Sequence, residues 1–115
     1  MNFGIIGSGM IAQFHAKAIK AMEGSQLRSV YSRNPDSSQA IADEYDCTAY
    51  SDLDAFLADP DLDIVTIATP SGAHLEPAIA AVRQGKHIIC EKPLEVTTDR
   101  IDQMIAEGEK QGATI

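Results

Sequence analysis

The sequence predicts an α/β fold, a doubly wound parallel sheet in a three-layer αβα arrangement forming one domain. Three observations predict it. Short β-rich runs ("NFGII", "QLRSVYS", "CTAY", "DIVTIAT", "KHIIC") alternate with stretches of helical periodicity along the whole chain. Two of these runs, "IVTIA" and "HIIC", are continuously apolar, the pattern of strands covered by helices on both faces. Finally, two glycines, Gly7 and Gly9, fall between the first strand and the first helix.

Taken in order, "NFGII" is the first strand and leads into a helix from about Met10 to Met22. Met10, Phe14, Ala18 and Met22 recur four apart on one face of that helix, flanked by Ile11 and Ile19, so the helix reads as amphipathic. "QLRSVYS" gives a second strand and Asp36 to about Tyr45 a second helix. A short strand, "CTAY", precedes a short helix opened by Ser51 and stopped near Pro60. "DIVTIAT" is followed by a helix from about Ala73 to Gln84, and "KHIIC" by a last helix from about Thr98 to Gln111. The chain ends in "GATI", which reads as a helix-ending glycine and a strand barely begun, so the domain is expected to be cut off at its C-terminus.

At 115 residues with 44% hydrophobic content, the chain has room for one core and not for two. A formal charge of −8 repels phosphate backbones and anionic lipid, which argues against nucleic acid and membrane as partners. There is no apolar run of about 18 residues and no secretory leader pattern, so a cytoplasmic protein is expected. Cys47 and Cys90 have neither C-x-x-C nor metal-like spacing and are expected as buried free thiols, with no metal site.

The string "GSGMIA" fits G-x-G-x-x-A, the loop of a Rossmann-type dinucleotide site. Gly7 allows the tight turn out of the strand, Gly9 lets the backbone approach a pyrophosphate, and Ala12 lets helix and strand pack closely. The helix N-terminus then offers its N–H groups and positive dipole end to the anion. At the tip of the second strand, "VYSRNP" has no acid, since Glu23 precedes the strand and Asp36 follows Pro35. Ser32 and Arg33 offer donors suited to a 2′-phosphate, so NADP(H) is preferred, with NAD(H) as the alternative cofactor. A solvated loop arginine is the other reading of Arg33.

Three motifs in fixed order, "GIIGSGMIA", "IATPSGAH" and "GKHIICEKPLEVT", resemble the nucleotide-binding domain of the glucose-fructose oxidoreductase / inositol dehydrogenase (Gfo/Idh/MocA) family, over essentially the whole chain. The resemblance implies that residues 1–115 are an NAD(P)-binding domain truncated before a second α/β domain that supplies most of the substrate pocket. By position, it implies that Gly7, Ser8, Gly9, Met10 and Ile11 form the pyrophosphate loop and Ser32 and Arg33 the adenosine-ribose site. Thr69 and Pro70 match the loop lining the cofactor, His74 begins the helix after it, and Glu91 and Lys92 border the nicotinamide ribose. Ser71 departs from the family's usual asparagine.

Lys92 is the catalytic candidate. An ammonium near a substrate hydroxyl stabilises the alkoxide that develops during hydride transfer. His15 and His87 read as a helix-face and a strand-start residue. The implied function is an oxidoreductase moving hydride to or from a sugar, cyclitol or related polyol, in a family whose members are often homo-oligomers. Two other readings stay open: a binding module without turnover, and a glycosidase that uses held NAD transiently.

Overall fold

The computed structural model describes residues 1–115. Five strands, β1 (Asn2–Ile6), β2 (Gln26–Tyr31), β3 (Thr48–Tyr50), β4 (Ile64–Ile67) and β5 (His87–Cys90), alternate with five helices. The helices are α1 (Met10–Ala21), α2 (Pro35–Tyr45), α3 (Leu53–Leu57), α4 (Leu75–Arg83) and α5 (Thr98–Gln111). All strand pairs are parallel, in the order β3-β2-β1-β4-β5. The chain winds outward from β1 to β3, then returns to the other side of β1 for β4 and β5. That reversal opens a crevice at the carboxyl ends of β1 and β4, the place where such sheets bind ligands.

Alternate strand residues feed two cores. Ile5 packs with Ala12, Ala16 and Ile19 of α1 and Ile41 and Ala42 of α2. Ile6 packs on the other face with Phe56 of α3, Leu75 and Ala78 of α4 and Met104 of α5. The three layers expected from the strand patterns are thus present, and most element bounds lie within two residues of the sequence reading. The short helix is the exception at its end, stopping at Leu57 and not near Pro60, and Asp52, not Ser51, caps it by accepting the Ala55 N–H at 3.1 Å.

The buried face of α1 is not its stripe of large apolar residues. Ala12 and Ala16 are fully buried and Ile19 nearly so, whereas Met10 is 75% exposed, Phe14 60% and Met22 44%. Small residues win the sheet-facing side because they let the helix axis approach the strands, as the glycine-loop reading of Ala12 requires. The large apolar stripe is left facing outward. Cys47 and Cys90 are free, as expected, but half-buried. Burial pushes each thiol up to about 11, so neither is a thiolate near neutral pH.

Candidate functional site

The carboxyl edge of the sheet gathers the segments after β1, β2, β4 and β5. Strand-like bonds carry the order into these loops: the Gly7 N–H donates to the Tyr31 carbonyl at 2.8 Å, Ala68 to Ile6 at 2.8 Å, and Glu91 to Ile67 at 3.0 Å. The two loop glycines have different reasons to be glycine. Gly7 has φ +121°, and a Cβ there would lie 2.7 Å from the Ala68 carbonyl oxygen, so the protein's own packing requires it. Gly9 has an ordinary extended backbone, and a Cβ there would meet no atom within 4 Å. Nothing in the protein demands glycine at position 9; the open space above it is a cradle that a side chain would fill.

That cradle lies at the N-terminus of α1, and the helix is unlike the other four. Gly9 caps it without a side-chain bond, and its first turn has no acid. Asn34, Asp52 and Thr97 cap α2, α3 and α5 through their side chains. Glu95 closes α4 from a distant loop, accepting the His74 N–H at 3.2 Å and the Leu75 N–H at 2.9 Å. Each of those four also begins with an acid, Asp36, Asp54, Glu76 or Asp99. In a chain of charge −8, only α1 presents an uncapped, acid-free positive end. The site residues therefore fit a dinucleotide: α1 would receive the pyrophosphate through the N–H groups after Gly9.

At the tip of β2, Ser32 is buried and its hydroxyl is committed, donating to the Asn34 carbonyl at 2.7 Å and accepting the Asn34 N–H at 3.2 Å. It shapes the turn. Arg33 is exposed, and it is the one arginine of the four without a carboxylate partner: Arg28 pairs with Asp59, Arg83 with Glu107, and Arg100 with Glu76 and Glu95.

After β4, the Thr69 hydroxyl donates to the Ala73 carbonyl at 2.9 Å, while Pro70 and Ser71 are exposed. His74 turns inward. It is 1% exposed, with Nδ1 3.0 Å from the Pro93 carbonyl and Nε2 2.9 Å from the Thr69 carbonyl. Its two ring nitrogens face main-chain carbonyls of different loops, so the buried ring sits between the segment after β4 and the segment after β5. Beside it, burial acts to raise the Glu95 carboxyl, but the Val96 N–H, Arg100 and the Leu75 and His74 N–H groups outweigh this and hold it at about 2.

After β5, Lys92 is exposed at the crevice, joined to Pro93 by a cis peptide bond. Glu91 is half-buried, and one of its carboxylate oxygens lies 2.7 Å from Nε2 of His15 on α1. The His15 bond holds that carboxyl below its ordinary range. The pairing of His15 with Glu91, like that of Glu95 with α4, was not visible in the sequence: the partners are 76 and 20 residues apart, and neither leaves a local motif. A concavity of about 290 Å³ lined by Arg28, Cys47, Tyr50 and Asp59 lies at the opposite end of the strands, where Arg28 and Asp59 form an ion pair.

The chain matches the model of the Gfo/Idh/MocA oxidoreductase family, NAD-binding Rossmann fold, over residues 1–115. It is 32% identical to the scyllo-inositol 2-dehydrogenase (NADP(+)) IolU of Bacillus subtilis, over the whole chain and 35% of that protein. It is 31% identical to the 2,7-anhydro-N-acetylneuraminate hydratase of Mediterraneibacter gnavus, over 97% of the chain and 29% of that protein. Among solved structures it superposes with a TM-score of 0.94 on GenD2 from gentamicin A biosynthesis in complex with NAD, at 26% identity, over 98% of this chain and 32% of that one. The chain thus spans about a third of the length of the relatives it matches. No helix is long and apolar enough to cross a membrane. The chain belongs to the Gfo/Idh/MocA family.

Proposed function

We propose that this family member is the nucleotide-binding domain of an NADP(H)-dependent oxidoreductase acting on a sugar, cyclitol or related polyol. The observation that carries the dinucleotide is the uncapped, acid-free N-terminus of α1 with open space above Gly9. Arg33, unpaired at a strand tip without an acid, supports the 2′-phosphate. The bound dinucleotide would supply hydride exchange at its nicotinamide carbon. The chain's own residues would bind and orient it: the N–H groups of Met10 and Ile11 at the pyrophosphate, Arg33 at the adenosine end, and the Glu91–Lys92 main chain at the nicotinamide end. Lys92, exposed and without an acidic partner, would place its ammonium beside the substrate oxygen and stabilise negative charge there.

Titration of this protein with NADPH and NADH at fixed salt tests the cofactor assignment. NADPH is expected to bind tighter, and Arg33→Ala to weaken it about 10- to 100-fold, the worth of one charged hydrogen bond, while leaving NADH unchanged. Equal affinities in the wild type would sink the 2′-phosphate reading. Hydride transfer needs a substrate carbon held about 3 to 3.5 Å from the nicotinamide in a mostly dry site, so this chain is expected to bind cofactor without turnover. In a chain of the relatives' full length, Lys92→Ala should lower turnover by about two to four orders of magnitude.

A redox-neutral reaction is the second reading, favoured by the similarity to a protein named as a hydratase. Stoichiometric consumption of NADPH with a carbonyl substrate separates the two.

A further inference from the structure

His15 and Glu91 join two segments that the sheet keeps apart, because β4 lies between β1 and β5. We propose that His15 is a positioning residue: it holds the Glu91 carboxylate so that this group fixes the main chain of Lys92 beside the nicotinamide end of the dinucleotide. The inference rests on the dinucleotide reading above.

Glu91 is anchored in three directions. Its N–H donates to the Ile67 carbonyl at the end of β4 at 3.0 Å. One carboxylate oxygen lies 2.7 Å from His15 Nε2, and the other accepts the Lys92 N–H at 3.3 Å. The His15 and Glu91 side chains are only 15% and 33% exposed, so their bond is partly shielded and stronger than a surface pair. Lys92 has no ion pair of its own, and the Glu91 carboxylate is what orders its amide.

The cost of this arrangement points the same way. Nδ1 of His15 is buried without a partner, a penalty that an aliphatic residue on the same helix face would avoid. The return on that penalty is the Nε2 bond. His15 also lies less than two turns along α1 from Gly9. One rigid helix therefore carries both the pyrophosphate cradle and the support for Lys92, and it sets the distance between them.

The test compares ligands that do and do not reach Lys92. The wild type, His15→Leu and His15→Gln are titrated with NADPH, NADH and ADP, which has the pyrophosphate and adenosine but no nicotinamide half. His15→Leu is expected to weaken the tighter dinucleotide about three- to tenfold more than it weakens ADP. His15→Gln keeps a donor near the Nε2 position and should recover most of that loss. Amide exchange at Lys92 should accelerate in the leucine variant and not in the glutamine variant. Glu91→Gln, which retains size and loses charge, should repeat the leucine pattern if His15→Leu fails to fold. Equal losses for ADP and dinucleotide, no recovery in His15→Gln, or unchanged exchange at Lys92 would overturn the proposal and leave the bond a structural tie. A wild type that binds none of the three ligands would overturn the dinucleotide reading as well, whereas a wild type that binds while His15→Leu is silent overturns only the role of His15.

Discussion

The N-termini of α1 and α4 follow neighbouring strands, open at the same edge of the sheet, and have opposite fates. That of α4 is filled from within: Glu95, 3% exposed, takes the His74 and Leu75 N–H groups and is itself held by Arg100. That of α1 has neither cap nor acid and keeps space above Gly9. A helix end with no internal partner needs water or a ligand to satisfy its N–H groups, and under the proposed function the open end of α1 is the one that takes the external anion.

Giving α1 a plug of its own is the most direct way to break the contrast. Gly9→Asp should cap the helix, leave stability unchanged or raised by a few tenths of a kcal/mol, and weaken dinucleotide binding by about a hundredfold or more in titration. Gly9→Val should abolish binding by bulk alone, and a folded valine variant that binds normally would reduce the glycine to a turn residue.

Removing the plug from α4 is the complementary change. Glu95→Gln loses the charge on a buried acceptor with several donors and should cost about 2–3 kcal/mol, read as a fall in melting temperature at neutral pH, with no new anion affinity. Because the folded carboxyl titrates at about 2 and the unfolded one near the ordinary value of about 4.3, its stabilisation is complete above the higher value and fades as pH falls toward the lower. The wild type and the variant should accordingly begin to converge in stability as pH falls below about 4, and meet only near the lower value. The smallest effect is expected at an ordinary cap: Thr97→Ala, which removes the acceptor of the Arg100 N–H, should cost about 1 kcal/mol and leave ligand binding untouched.

The parts of this molecule that are local in sequence were legible there. The strand runs, the glycine loop and the acid-free tip of β2 each announce themselves within a few residues, and the parallel, doubly wound class follows from the strand runs. Side chains that act across the fold were not legible. His15 reads as an ordinary helix residue until Glu91 is brought beside it, and Glu95 reads as a loop acid until the 91–97 segment folds over α4. The buried face of α1 differs from its apolar stripe for another reason. Apolar periodicity finds a stripe of large residues, whereas close contact with a sheet selects small ones, so Ala12 and Ala16 outrank Met10 and Phe14 for the buried side. A hydroxyl at this tip suits phosphate by its chemistry, and only the fold shows the Ser32 hydroxyl bonded to the Asn34 main chain.

The outward stripe of α1 makes this domain a colloid as much as a fold. Met10, Phe14 and Met22 present sticky surface on a particle whose charge of −8 keeps its neighbours away. At low ionic strength the repulsion extends well beyond the reach of those side chains, and at about 1 M salt it shrinks to roughly 3 Å. Added salt screens the charge without weakening the apolar contact, so self-association of this chain is expected to rise with ionic strength in a light-scattering series.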